Sequence, residues 1–335
     1  MKDGGPLVSV LMPFRDASGT VEEAVASILS QQGVALELVA VDDGSRDDGA
    51  ERVRALGAGD ARVVLVRGEG KGIAAALTRG LVVSRGDVVA RMDADDVALP
   101  ERLARQVEAL AADPRLGAVG TRVETLGACG EGMRLYVAWQ NAVVSPEDHV
   151  RELFVEAPLC HPSVALRREA LEAVGGWHDT PWPEDYDLWL RLDAAGWRLA
   201  KVPEVLLRWR QRPESLTVTD TRCSQERFRE AKALYLAPRL ARGGRPVVVW
   251  GAGPTGKRLA RALEVHGVRA RRFVDIDPRK IGRTARGVPI VSPEALRAGE
   301  DALVIAVGVR GARELVRAHL VERGFVEGAD FVCAA

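Results

Sequence analysis

Three acidic clusters mark the N-terminal part of this chain: Asp42-Asp43-Gly44-Ser45, Asp93-Ala94-Asp95-Asp96 and Glu184-Asp185. The first two each follow an apolar run that reads as a buried parallel strand. Gathered carboxylates are costly unless a cation neutralises them. In an open α/β sheet, ligands settle beyond the carboxyl ends of the strands, so acids arriving there on separate strands point to one shared pocket. A short Asp-x-Asp loop of hard oxygen donors suits Mg²⁺ or Mn²⁺, which keep positions for water and phosphate, so a diphosphate is the expected companion. A second constellation lies downstream. Gly251-x-Gly253-x-x-Gly256 follows an apolar strand and opens a helix, and Asp275 falls roughly 20 residues further on, the spacing of a dinucleotide-binding site.

The elements that must carry these residues can be read from periodicity. Val8 to Met12 is a β-rich run ended by Pro13. Thr20-x-x-Glu23 has the form of a capping box, opening a helix with Val21, Ala24, Val25, Ile28 and Leu29 on one face. Leu36 to Val41 is a strand delivering Asp42 and Asp43, Val63 to Val66 is a third strand, and Val88 to Met92 delivers the second cluster. Helices carrying Val53 and Leu56, and then Ile73, Leu77 and Leu81, lie between them. This alternation, with connections too long for hairpins, predicts a parallel sheet covered by helices on both faces.

The fold class expected is therefore α/β, with residues 1–125 a nucleotide-binding half. Residues 126–221 are less regular and rich in aromatics, among them Tyr136, Trp139, Trp177, Trp182, Tyr186, Trp189, Trp197 and Trp209, as suits an acceptor-binding half. Residues 222–245 predict a linker helix ending at Gly243-Gly244, and 246–335 a small Rossmann-like α/β domain.

Composition sets the outer limits. The chain has 335 residues, 47% hydrophobic and 28% charged, enough for two domains with real cores. Lys plus Arg and Asp plus Glu each total 47, a formal net charge of zero, which excludes the basic footprint of a nucleic-acid binder. No stretch approaches the ~20 apolar residues of a membrane span or the core of a signal peptide, so a cytoplasmic protein is expected. Cys129, Cys160, Cys223 and Cys333 lie far apart without a Cys-x-x-Cys pair, which argues against zinc and fits a reducing compartment. Arg222, Arg227, Arg229, Arg239, Arg242 and Arg245 are either one solvated helix face or a peripheral contact with an anionic membrane.

Read in order, Val8-Ser9-Val10-Leu11-Met12-Pro13, Val41-Asp42-Asp43-Gly44-Ser45, Asp93-Ala94-Asp95-Asp96, Cys160-His161-Pro162-Ser163, Gly175-Gly176-Trp177 and Glu184-Asp185-Tyr186-Asp187-Leu188-Trp189 resemble the family 2 glycosyltransferases of the GT-A fold. The resemblance covers residues 8 to 216 and implies an inverting enzyme of hexosyltransferase type. Such an enzyme moves a sugar from a nucleoside diphosphate, usually UDP, to an acceptor hydroxyl on a saccharide or lipid-linked acceptor, in polysaccharide or glycoconjugate synthesis. It implies Asp185 as general base, Asp95 at a Mn²⁺ or Mg²⁺ ion, and Asp93 at the ribose or the metal. Asp43 would hold the base beside Asp42, with Pro13 and Arg15 lining the nucleotide pocket and Lys71 nearby in a Gly-flanked turn. Glu184, His161 and Arg212 would lie at the acceptor or diphosphate.

One departure bears on the metal. The family often has a His-Pro-x-Ser-like segment after the catalytic helix, whereas this chain reads Arg210-Gln211-Arg212-Pro213-Glu214-Ser215. Arg212 cannot ligate a metal but can pair with phosphate through its planar fork, which implies weaker metal dependence.

Gly251, Gly253, Gly256 and Asp275 form a candidate second ligand site, although no residue pair for hydride transfer accompanies them. Packing or oligomerisation is the other reading of this module. The alternative function for the whole chain is thus a nucleotide- or dinucleotide-binding regulatory protein. A nucleotidyltransferase is disfavoured because Phe14-Arg15-Asp16, not a Gly-rich loop with a Lys, follows the first strand.

Overall fold

The computed structural model describes residues 5–212, 215 and 219–335. Pro213 and Glu214, in the departing segment, lie outside the described residues. The chain divides into two compact units, one of Met1–His149 with Ala157–Asp220, the other of Val150–Glu156 with Thr221–Ala335.

In the first unit, β1 (Leu7–Phe14), α1 (Val21–Leu29), β2 (Ala35–Asp42), α2 (Gly49–Gly59), β3 (Val63–Arg67), α3 (Ile73–Val83) and β4 (Val88–Arg91) follow one another as the periodicity predicts. Residues Val8, Val10, Leu38, Ala40, Val88 and Ala90 are buried on the same core as Val21, Val25 and Ile28 of α1. β5 (Val97–Ala98), α4 (Arg102–Ala112), β6 (Leu116–Leu126), α5 (Glu131–Ala142), α6 (Pro146–Glu152, whose residues from Val150 on belong to the second unit), β7 (Ala165–Arg167), α7 (Arg168–Ala173), α8 (Glu184–Ala194) and β8 (Arg198–Arg210) complete the succession.

The eight strands run in the order β3-β2-β1-β4-β7-β6-β8-β5. The first four are mutually parallel, while β7 is antiparallel to both β4 and β6. The parallel expectation therefore holds for β1 to β4 and gives way to a mixed sheet beyond. Since the chain moves outward from β1 on one side and returns to β4 on the other, the strand order reverses between them, and a crevice opens there beyond Phe14, Asp42 and Arg91. β8 pairs with β6 over most of its length, with the register slipping around Pro203, whose missing N–H cannot join a ladder.

Two local expectations are corrected. β1 runs through Pro13 to Phe14 instead of stopping at the proline. Thr20 precedes α1 but its side chain makes no cap bond. Its hydroxyl instead accepts from Arg212 Nη2 at 3.3 Å, a partner brought in from the far side of the sequence.

In the second unit, α9 (Gln225–Arg242) precedes β9 (Val247–Trp250), α10 (Pro254–Val265), β10 (Ala270–Val274), β11 (Thr284–Ala285), β12 (Val288–Val291), β13 (Ala302–Ile305), α11 (Ala312–Glu322) and β14 (Phe331–Cys333). The order β11-β12-β10-β9-β13-β14 is parallel except for the β11/β12 hairpin. Both hairpin turn residues, Arg286 and Gly287, have φ near +50° to +80°, as the twist of a two-residue loop demands. Residues 150–156 are built into this unit. Glu152 pairs with the buried Arg317 at 3.0 Å, and Lys232 Nζ donates to the Val155 carbonyl at 2.6 Å.

Candidate active site

The crevice at the strand ends is organised by loops that carboxylates hold in place. Asp42 Oδ1 accepts the Ser45 N–H at 2.8 Å, closing the turn after β2. Asp43 is buried, and its two oxygens accept the N–H groups of Gly70 and Gly72, each at 2.8 Å. Gly70 and Gly72 have φ of +70° and +93°, conformations that side chains resist. Asp43 thus shapes the turn that carries Lys71, whose exposed ammonium pairs with Glu69 at 2.6 Å. Pro13 lies in β1, and Arg15 sits just beyond the strand, exposed and 3.8 Å from Asp16. Asp16 Oδ1 in turn accepts the Arg46 N–H at 2.7 Å, tying the loops after β1 and β2 together.

The second cluster surrounds a residue whose importance the sequence reading missed. Arg91, the last residue of β4, is 3% exposed, and its guanidinium lies 2.5 Å from Asp93 Oδ2. Its charge also acts on Asp96 and Glu184. Asp93, Asp95 and Asp96 each bring a carboxylate oxygen within 4.8 Å of the others. Burial, together with repulsion from Asp93, raises the Asp95 carboxyl against the pull of Arg212, Arg91 and Arg210. Asp96 is raised well above its ordinary value by burial and by its two neighbours, Asp93 and Asp95. One Asp96 oxygen accepts the Arg210 N–H at 2.7 Å, and the other is buried without a hydrogen-bond partner. Arg212 Nε lies 3.3 Å from Asp95 Oδ2, so the arginine of the departing segment does reach the acidic cluster.

The third cluster opens α8. Glu184 is buried and faces His161 Nδ1 at 3.5 Å. Asp185 is half-buried, and its Oδ1 accepts the Tyr186 N–H at 2.7 Å. Burial pushes the Asp185 carboxyl up, to about 6; Glu184 adds to the rise, while His161, the Tyr186 N–H and Arg91 oppose it. Arg91 is therefore the cation common to the second and third clusters. The loop before α8 is pinned by Asp187, which accepts from Trp182 Nε1 at 2.9 Å and from Arg191 Nε at 2.6 Å.

The donor set fits a divalent cation: three hard carboxylates converge, and one buried Asp96 oxygen is unpartnered. A single buried guanidinium balances only part of that charge.

In the second unit, the glycine pattern has a geometric cause. Gly251 has φ +118°, and a Cβ there would lie 2.5 Å from the Ala306 carbonyl oxygen. A Cβ on Gly256 would fall 1.9 Å from the Gly251 carbonyl oxygen, whereas one on Gly253 would meet nothing within 4 Å. Asp275 accepts from Ala252 N–H at 3.0 Å and from Lys280 Nζ at 2.9 Å, so its carboxylate braces the glycine loop.

Comparison with known proteins gives this arrangement its class. Two solved structures share the fold: a mannosyltransferase from Pyrobaculum calidifontis in complex with GDP-Man and Mn²⁺ (TM-score 0.50, 22% identity, 79% of this chain and 74% of that one), and S. aureus TarS 1-349 in complex with UDP-GlcNAc (TM-score 0.57, 16% identity, 79% and 73%). The first unit is a GT-A glycosyltransferase fold. Residues 9–175 match the family described as Glycosyl transferase family 2, and residues 244–324 the family described as CoA binding domain. The chain is also 30% identical over 207 residues to the amylovoran biosynthesis glycosyltransferase AmsE of Erwinia amylovora, over 61% of this chain and 76% of that protein. It belongs to glycosyl transferase family 2 and carries a Rossmann-like second unit. Among the described residues, no helix is long and apolar enough to cross a membrane.

Proposed function

We propose that this protein is an inverting hexosyltransferase that moves a sugar from a nucleoside diphosphate, UDP in the first instance, to an acceptor hydroxyl in polysaccharide or glycoconjugate synthesis. Residues 1–125 form the donor half and 126–221 the acceptor half; 222–245 link them to residues 246–335. The observation that carries this reading is the convergence of the Asp93, Asp95 and Asp96 carboxylates within 4.8 Å of one another beside the buried Arg91, whose charge also acts on Asp185 in the first turn of α8, a carboxyl that burial raises to about 6. A base with a pKa in that range is ionised at neutral pH yet holds a proton better than an ordinary carboxylate.

In this mechanism the acceptor oxygen attacks the anomeric carbon as its proton passes to Asp185, and the bond from that carbon to the diphosphate oxygen breaks. One displacement suffices, so one carboxylate base is enough and the anomeric configuration inverts. Asp95 and Asp93 would hold a Mn²⁺ or Mg²⁺ ion, which when bound supplies positive charge to the departing diphosphate. Arg212, already 3.3 Å from Asp95, is placed to pair with phosphate by its fork. Asp42, Asp43, Pro13, Arg15 and the Lys71 turn would enclose the nucleotide. The GDP-Man, Mn²⁺ and UDP-GlcNAc complexes of the two structural relatives support a nucleotide-sugar donor with a divalent cation, and AmsE supports a polysaccharide product. A saccharide or lipid-linked acceptor and a cytoplasmic location complete the proposal.

The test is calorimetric titration with UDP, GDP and NAD, with and without Mn²⁺, on wild type and Asp95→Ala, beside transfer assays on Asp185→Asn. Metal-dependent UDP or GDP binding lost in Asp95→Ala, with Asp185→Asn binding the donor but transferring nothing, is the expected result. Binding of NAD alone, indifferent to Asp95→Ala, would instead transfer interest to Gly251, Gly253, Gly256 and Asp275 and overturn the assignment.

A further inference from the structure

The family resemblance implies a place for His161 at the acceptor or diphosphate, but its surroundings give it another task. It opens the short 3-10 turn His161–Ser163 and is 6% exposed. Its ring lies between two indoles, with centroids 6.2 Å from Trp177 and 6.0 Å from Trp189, the latter edge-on. Trp177 Nε1 donates to His161 Nε2 at 3.0 Å. An indole nitrogen can only donate, so Nε2 accepts and the proton of the neutral ring is assigned to Nδ1. That nitrogen faces Glu184 Oε1 at 3.5 Å, a long contact in which the N–H dipole points at the carboxylate. Both ring nitrogens are turned to protein, which leaves His161 neither lone pair nor N–H for a donor diphosphate or a metal.

We infer that His161 is a positioning residue for the catalytic base: Trp177 fixes its tautomer, Nδ1–H holds the Glu184 carboxylate, and Glu184 held there sets the charge beside Asp185. The assignment rests on Asp185 being the base. The titratable and charged groups facing Asp185 are Glu184 from its own helix, the His161 ring from the 161–163 turn and Arg91 from the end of β4. Glu184 disfavours a second negative charge next to it, whereas His161 and Arg91 favour one. Removing His161 or Glu184 must therefore move the Asp185 titration in opposite directions.

The experiment follows the acid limb of kcat/KM for release of UDP or GDP from UDP-N-acetylglucosamine and GDP-mannose, since that limb reports the free enzyme's base. His161→Leu is expected to raise the limb by about one pH unit, roughly a tenfold loss well below the limb and little at alkaline pH. Glu184→Gln should lower it. His161→Gln, whose amide can both accept from the indole and donate to Glu184, should restore the limb to within a few tenths of a unit. Trp177→Phe, which keeps a ring but loses the donor, should shift the limb in the same direction as His161→Leu, and it carries the test if the leucine variant does not fold. Equal loss of activity at every pH, with limbs superimposed on wild type in His161→Leu, Trp177→Phe and Glu184→Gln, would reduce these residues to packing and overturn the inference. Retained activity in Asp185→Asn would instead overturn the underlying base assignment, so the two failures are distinct.

Discussion

Arg91→Met offers the sharpest test of how this site is held together. The methionine keeps an unbranched apolar stem of similar reach and deletes the guanidinium that lies 2.5 Å from Asp93 and acts on Asp96 and Glu184. Breaking a buried ion pair by removing one partner costs about 3–5 kcal/mol, because the other charge is left uncompensated. The Asp93 side chain is 30% exposed, so solvent screens part of its loss and the lower end, about 3 kcal/mol near pH 7.5, is expected. The sign of the pH dependence follows from linkage. Without Arg91 the buried Asp96 carboxyl, already raised, rises further above its unfolded value, so the folded variant binds more protons than the unfolded chain, and its stability falls as pH rises. The gap to wild type should therefore be widest at pH 7–8 and narrow toward pH 5. Urea unfolding followed by tryptophan fluorescence reads this well, because six of the seven tryptophans, all but Trp250, lie in the first unit. Arg91→Lys, which keeps a charge but loses the fork, should fall between. A loss below about 1 kcal/mol, or one that is the same at every pH, would refute the view that Arg91 neutralises both acidic clusters.

Three further outcomes follow from the same geometry. For the wild type, kcat/KM should fall about tenfold per pH unit below about 6, as the raised Asp185 carboxyl takes up its proton, and an acid limb near 4 would contradict that shift. Asp43→Ala removes both acceptors for the Gly70 and Gly72 amides, so those amides should exchange with solvent faster and UDP affinity should drop by about tenfold or more, as loss of about 1.5–3 kcal/mol per charged hydrogen bond allows; unchanged exchange would sink the stapling role. Gly256→Ala, whose Cβ would fall 1.9 Å from a backbone oxygen, should destabilise the second unit by about 1–3 kcal/mol in Trp250 fluorescence, while Gly253→Ala, with open space, should stay within about 0.5 kcal/mol; equal effects would contradict the packing account.

What could be read from residues alone, and what could not, divides along a physical line. The strands before Asp42 and Asp93 were legible because a buried parallel strand must be apolar on both faces, and the acids that follow it have nowhere to go but the crevice. β6 (Leu116–Leu126) carries Gly117 and Gly120, residues that weaken the pattern of a strand. In the folded chain a Cβ at Gly117 would lie 2.9 Å from Trp197, and one at Gly120 2.7 Å from Leu159, so these glycines make room for neighbours and do not end the strand. Nor could the sequence disclose that residues 150–156 pack with residues 221–335, since the Glu152–Arg317 pair joins positions that no local pattern links.

The site residues show the same division at finer grain. Their types were visible, but which atom meets which was not. Asp43 looked like a ligand contact and turns out to have both oxygens on the backbone of a loop 27 and 29 residues away. Arg91 is absent from the candidate residues read from the sequence, although one signal was available: three carboxylates within four residues, at the end of a buried strand, call for a cation close by, and Arg91 is the basic residue nearest in sequence. That requirement also explains why a single arginine is not the whole answer. Arg91 is buried and pairs most closely with Asp93, Asp96 keeps one buried oxygen without a partner, and Asp95 draws Arg212 from the segment after β8. A cluster balanced in this partial way is stable enough to fold and still favours additional positive charge, which is the electrostatic condition for a site that takes up a cation together with its anionic substrate.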